Sequence, residues 1–274
     1  RGGRCWLRAM LSQWSGEERL HANVLTPVLI SGKQGLSKST FCRLLMPDSL
    51  RHYFIDNLNL TAGSSPEKKL VKNGLINLDE FDKIKESQQA TLKNLLQMVN
   101  VPVFRGKRLG WVNESRLASF IATTNVYQVL IDSTGSRRFL CVEVLKPISE
   151  EPLEHKQIYA QLKEELKSGA PDYLNKEEEK ALQKHNKAYY RQSLLEDVFH
   201  CCFRHPLETE KGIWLTTAEI FQVMRKFNST ALKEVSARQL GLKLSAMGYM
   251  AKHTSFGNRY YVFNLSAEKK DVSL

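Results

Sequence analysis

Val24-Leu-Thr-Pro-Val-Leu-Ile-Ser-Gly-Lys-Gln-Gly-Leu-Ser-Lys-Ser-Thr-Phe-Cys-Arg-Leu-Leu-Met46 runs from an apolar segment through a glycine-bearing loop into a helical pattern. Val24 to Ile30 has the length of a buried strand, and Phe41 to Met46 resumes with helix-like spacing. A glycine-bearing loop that opens a helix aims several backbone N–H groups at one anion, and the helix dipole adds partial positive charge there. The loop residues expected around such an anion are Gly32, Gln34, Gly35, Ser37, Lys38, Ser39 and Thr40. Lys38 would reach the outer phosphates of a nucleotide, and the Ser39 hydroxyl would meet Mg²⁺. The pattern G-x-x-x-x-G-K-[ST] has glycine just before the lysine; this chain has Ser37.

Composition narrows the setting. With 274 residues and 42% hydrophobic content, the chain is long enough for one large domain and a small one. It has no run of about 18 apolar residues, so no membrane span is expected. The opening Arg1-Gly-Gly-Arg4 is followed by no apolar segment long enough for a secretory signal, and the chain is expected to be a fragment of a longer protein. Five cysteines without framework spacing point to a reducing compartment, hence the cytoplasm. A net charge of +11 favours a polyanionic partner, because each neutralised phosphate releases condensed counterions.

Three further stretches carry chemistry. Gly74-Leu-Ile-Asn-Leu-Asp-Glu-Phe81 is an apolar strand ending in two carboxylates. On the strand beside the loop, Asp79 would orient Mg²⁺ and Glu80 would polarise an attacking water. The plain alternative is a strand running into a solvated turn. Arg116-Leu-Ala-Ser-Phe-Ile-Ala-Thr-Thr-Asn125 is another strand, and Asn125 at its tip offers both a donor and an acceptor. Ile131-Asp-Ser-Thr-Gly-Ser-Arg-Arg-Phe139 follows, where Arg137 and Arg138 can present guanidinium groups to a phosphate or simply lie in a solvated turn.

In this order, Gly32-Lys-Gln-Gly-Leu-Ser-Lys-Ser-Thr-Phe41, Asn77-Leu-Asp-Glu-Phe81, Phe120-Ile-Ala-Thr-Thr-Asn125 and Asp132-Ser-Thr-Gly-Ser-Arg-Arg-Phe139 resemble the virulence-associated E family. The resemblance spans about Val24 to Val144. It implies a phosphate-loop ATPase of the AAA+ and superfamily 3 helicase type, from prophages, plasmids and other mobile elements. It implies ATP contact at Lys38 and Ser39, metal and water handling at Asp79 and Glu80, γ-phosphate sensing at Asn125, and an arginine finger at Arg137 or Arg138. Ser37 departs from the usual glycine and would carry a backbone cost if its φ is positive.

Between the carboxylate and Asn125 strands, Val101-Pro-Val-Phe-Arg-Gly-Lys-Arg-Leu-Gly-Trp111 reads as a hairpin with a basic tip. In the helicases that the chain resembles, such a hairpin lines a pore and grips single-stranded DNA. Arg105, Lys107 and Arg108 would track the DNA backbone, while Trp111 would stack on a base or pack in the core and Arg105 would otherwise form an internal ion pair. Past Lys211, a strand at Ile213 to Leu215, a helix capped at Thr216 or Thr217, a second helix capped at Ser236, and a hairpin around Ser255-Phe-Gly-Asn258 suggest a winged helix. Arg238, Gln239 and Lys243 would face a DNA groove, and Lys252 or Arg259 would lie along the wing. His200-Cys-Cys-Phe-Arg-His205 lacks the second cluster a zinc site needs and reads as a packed helix, with Cys201 and His205 on one face.

The expected organisation is therefore an α/β ATPase domain over 1–149 with a mainly parallel sheet flanked by helices, a helical linker over 150–206, a winged-helix-like domain over 207–266 and a frayed tail over 267–274. The expected function is a Mg²⁺-dependent, DNA-coupled, helicase-like ATPase acting as a homo-oligomer, with single-stranded DNA in a pore and duplex DNA at the winged helix. The alternative is a nucleotide-regulated DNA-binding or scaffold protein with little hydrolysis. A nucleotide kinase would also use a phosphate loop and arginines, but leaves the winged helix unexplained.

Overall fold

The computed structural model describes residues 1–16, 21–61, 64–131, 136–191, 194–229, 232, 235–255 and 257–265. Asp132 to Gly135, Phe256 and the tail from Ala267 to Leu274, all invoked above, lie outside the described residues. The chain divides into two compact units, Arg1–Arg191 and Gln192–Leu274.

The first unit begins with α1 (Gly2–Trp14), β1 (Thr26–Ile30) and α2 (Lys38–Leu44), followed by β2 (Phe54–Asp56), α3 (Glu67–Leu70) and β3 (Leu75–Leu78). It continues with α4 (Glu86–Gln97), β4 (Asn100–Phe104), β5 (Trp111–Ser115), β6 (Ser119–Thr124), β7 (Phe139–Glu143), α5 (His155–Lys167) and α6 (Lys176–Asn186). Five strands form one sheet in the order β2-β3-β6-β1-β7, and every pairing in it is parallel. β1, β3 and β6 are buried along their whole length, as a parallel sheet covered by helices on both faces requires. The ladder from β1 to β6 starts at Val28, just past Pro27, which has no N–H to give.

Alternation along the strands fills two cores. Val28, Ile30, Ile76, Leu78, Phe120 and Ala122 pack with Leu92, Leu95 and Leu96 of α4 on one side. Leu29, Leu75 and Ile121 pack with Trp6 and Met10 of α1 and Cys42 of α2 on the other. The strand order corrects one expectation: the carboxylate strand β3 is not beside β1, because β6 is inserted between them. Strand tips in a parallel sheet share one edge, so the ends of β1, β3 and β6 still converge.

Helices α5 and α6 belong to the first unit. Arg4 and Arg8 of α1 both bind Glu165 of α5. On α6, Leu182 is buried in the second core and the His185 ring lies 2.9 Å from the Cys141 carbonyl oxygen on β7.

The second unit holds α7 (Leu194–Cys202), β8 (Phe203–Arg204), β9 (Ile213–Thr216), α8 (Thr217–Phe227), α9 (Ala237–Ala246), β10 (Ala251–Thr254) and β11 (Gly257–Asn264). β11 pairs antiparallel with β8, β9 and β10. Thr216 and Ser236 cap α8 and α9 through reciprocal hydrogen bonds with Glu219 and Gln239. Phe199, Cys202, Ile220, Met224, Leu240, Leu244, Tyr260 and Val262 form its core. Helix α7 stops at Cys202 because Phe203 and Arg204 leave it to pair with β11, so Cys201 and His205 do not share a helical face. Among the described residues no group of three or more His, Cys, Asp or Glu could hold a metal ion, and no helix is long and apolar enough to cross a membrane.

Candidate functional site

A cleft of about 400 Å³ opens at the shared edge of β1, β3 and β6, lined by Gln34 to Thr40, Asp79, Glu80 and Thr123 to Asn125. Each lining segment follows or ends a buried strand, so the sheet core fixes where its polar tip stands. The loop after β1 doubles back through positive φ at Gly35 (77°) and Ser37 (57°). Glycine adopts such an angle freely; Ser37 does so at a cost of about 1–2 kcal/mol. Its hydroxyl donates to Glu150 Oε1 at 2.6 Å, which offsets part of that cost. At Gly32 the constraint is space, since a Cβ would stand 2.9 Å from the Tyr127 ring.

Lys38 is 7% exposed, which for an ammonium demands partners. Its Nζ donates to Ser31 Oγ at 2.5 Å and to Asn125 Oδ1 at 2.8 Å. Burial lowers its pKa, against the opposing pull of the Asp79 charge. Asp79 Oδ1 accepts from Ser39 Oγ at 3.2 Å and from Thr123 Oγ1. Lysine, serine, aspartate and asparagine from three strand ends and α2 thus form one hydrogen-bonded set around the cleft. Glu80 also has positive φ, 51°, and its exposed carboxylate lies 2.6 Å from Lys83 Nζ.

Sequence reasoning gave no role to several residues that complete this set. Thr123 binds Asp79, while Thr124 Oγ1 donates to Asp82 at 2.6 Å and accepts from the Val126 N–H at 3.0 Å. A threonine pair at the end of a buried strand, just before Asn125, was the available signal. Ser31 and Glu150 had none, because their contacts depend on how the loop and the segment after β7 come together.

Arg137 and Arg138 sit on a single 3₁₀ turn, Ser136–Arg138, immediately before β7. Neither lines the cleft. Arg137 Nη1 lies 3.6 Å from Glu179 Oε2 on α6, both partly exposed.

β4 and β5 form the antiparallel hairpin, with Lys107 and Arg108 exposed at its tip. Arg105 pairs with Glu114 across the hairpin at 2.5 and 2.6 Å, and that bond holds the Glu114 carboxyl below its usual range. Trp111 is 73% exposed and faces Phe104 at 5.6 Å between ring centroids, so the core-packing alternative for it does not hold. In the second unit Arg238 is exposed, Gln239 Oε1 accepts from the Ser236 N–H that it caps, and Lys243 Nζ lies 2.8 Å from Glu196. Lys252 and Arg259 stand opposite each other across β10 and β11.

The family model for the virulence-associated protein E-like domain matches residues 22–191, and the chain belongs to that family. A second model, described as a domain of unknown function from B. Theta, matches residues 192–262. No curated protein matches the chain. Among solved structures, the apo structure of the NrS-1 C-terminal region is similar over 96% of this chain and 70% of that chain, at 12% identity and a TM-score of 0.44. Its A-form apo structure aligns over the same shares at 14% identity and a TM-score of 0.42.

Proposed function

We propose that the first unit is a phosphate-loop ATPase whose turnover requires Mg²⁺ and is coupled to single-stranded DNA. The observation that carries this reading is the meeting of Lys38, Ser39, Asp79 and Asn125 in one cleft at the tips of parallel strands. The donor set suits the ligands. A buried ammonium beside turned backbone N–H groups matches triphosphate oxygens, and a hydroxyl with a carboxylate matches the hard oxygen ligation of Mg²⁺.

In this proposal Gly32, Gln34, Gly35, Ser37 and Thr40 surround the phosphates, and Lys38 contacts the β and γ groups. Ser39 and Asp79 hold Mg²⁺, which neutralises phosphate charge when bound. Thr123 keeps Asp79 oriented. Glu80 polarises the attacking water once it leaves Lys83, and Asn125 orients the γ phosphate. Arg137 or Arg138 completes the site from a neighbouring copy of the chain, a reading favoured by the absence of both from the cleft lining. Lys107 and Arg108 follow the DNA backbone while Phe104 and Trp111 offer exposed rings for bases.

The second unit is proposed as a winged helix that contacts duplex DNA through Arg238 and the Lys252 and Arg259 pair, with Lys243 joining only if it leaves Glu196. Five free thiols suit a cytoplasmic setting, and replication or mobilisation of a mobile element is the proposed context.

A second reading has its own support. The left-handed Ser37 and the Glu80 to Lys83 contact favour a nucleotide-regulated DNA-binding protein with slow hydrolysis. Mg²⁺-dependent ATP hydrolysis measured with and without single-stranded DNA separates the two. Stimulated turnover supports the motor; ATP binding without turnover supports the regulated binder.

A further inference from the structure

Helix α6 reaches the segment that bears the two arginines at two points. Asn186, at its C-terminal end, is fully buried, and its Nδ2 donates at 2.8 Å to both the Ser136 and the Phe139 carbonyl oxygens. These carbonyls bracket Arg137 and Arg138. One side-chain amide therefore clamps both ends of the turn between them. Two turns earlier on the same helix, Glu179 lies against the Arg137 guanidinium. The Oδ1 of Asn186 is buried with no hydrogen-bond partner among the described residues. The two bonds use both hydrogens of the Asn186 amide at a fully buried position.

We propose that α6 is the positioning arm of the arginine turn: Asn186 fixes the backbone from which Arg137 and Arg138 project, and Glu179 holds Arg137 aside until a phosphate competes for it. Asn186 is thus a positioning residue that touches no nucleotide. The inference rests on the hydrolysis reading above, and it gives α6 a task beyond packing against β7 and the second core. An arginine that stabilises charge developing on a transferring phosphoryl group acts mainly on kcat, whereas loss of general packing in the first unit would weaken nucleotide binding as well.

The test uses the full chain and measures kcat together with the dissociation constant for a non-hydrolysable ATP analogue. Asn186→Ala is expected to lower kcat at least tenfold while leaving that constant within twofold. Combined with Arg137→Ala and Arg138→Ala, it is expected to lower kcat by less than twofold beyond the arginine variant alone, because all three changes remove the same contribution. A folded Asn186→Ala protein with unchanged kcat, or a loss that multiplies fully with that of the arginines, would overturn the proposal. If Asn186→Ala does not fold, Glu179→Ala decides, since it removes only a partly exposed carboxylate. It is expected to raise kcat about two- to fivefold by freeing Arg137, and an unchanged kcat overturns the proposal. A wild-type protein that binds ATP without turnover would instead remove the hydrolysis reading, and this inference with it.

Discussion

Ser37 is the point where the loop departs from glycine, and its energetics can be worked from the structure. At φ 57° and ψ 27° its backbone is left-handed, which costs a residue with a Cβ about 1–2 kcal/mol relative to glycine. Its hydroxyl bond to Glu150 is worth about 0.5–1 kcal/mol, at the lower end of the usual range because Glu150 is exposed. Ser37→Ala removes the bond and keeps the strain, so it should destabilise the first unit by about 0.5–1 kcal/mol. Ser37→Gly also loses the bond and adds about 0.4–1 kcal/mol of unfolded-state freedom, but it relieves the strain. The terms nearly cancel. Ser37→Gly should therefore fall within about 0.5 kcal/mol of wild type and above Ser37→Ala.

The assay is urea unfolding followed by tryptophan fluorescence in a Trp214→Phe background, which leaves Trp6, Trp14 and Trp111 to report on the first unit. Glu150→Ala removes the same bond from the other side, so Ser37→Ala with Glu150→Ala should lose no more than either alone. Two results would refute the reasoning: Ser37→Gly falling as far as Ser37→Ala, or the Ser37 and Glu150 losses adding in full.

Other expectations follow from the hairpin and the helix contacts. Lys107→Ala with Arg108→Ala should weaken single-stranded DNA binding and reduce the slope of log affinity against log salt by about 1–2, read by fluorescence anisotropy across a salt series. An unchanged slope would remove the hairpin tip from the interface. Glu165, bound by Arg4 and Arg8, has its pKa lowered from the usual carboxylate value to about 2. A depressed folded-state pKa means that the contact's stability is present above the unfolded value and is lost as pH falls towards about 2. Glu165→Gln should accordingly flatten the acid limb of a plot of melting temperature against pH between about 4.5 and 2, and an acid limb as steep as wild type would count against the pairing.

Much of the first unit was legible because its chemistry sits in contiguous words. Lys38, Ser39, Asp79 and Asn125 each end or follow a short apolar strand, and parallel strands bring their tips to one edge. The strand order was not legible, because the insertion of β6 between β1 and β3 is a property of pairing over long sequence separations. For Arg105 the sequence left two readings open, the DNA backbone or an internal ion pair, and the hairpin register brings Glu114 within reach of it. Asn186 shows the limit most clearly. On its own helix it is an ordinary polar residue before a lysine, and only the fold sets its amide against two carbonyls some 50 residues earlier in the chain. In the second unit the caps at Thr216 and Ser236 were readable from local sequence, whereas the end of α7 at Cys202 depended on the distant strand β11.

The central claim is that Lys38 and Glu80 belong to one ATP-hydrolysing site, and a paired measurement of binding and turnover addresses it. With Mg²⁺ and single-stranded DNA present, wild type should hydrolyse ATP, Lys38→Ala should lose both binding and turnover, and Glu80→Gln should keep binding while its kcat falls by about a hundredfold or more. Turnover in Lys38→Ala equal to that of wild type would contradict the account.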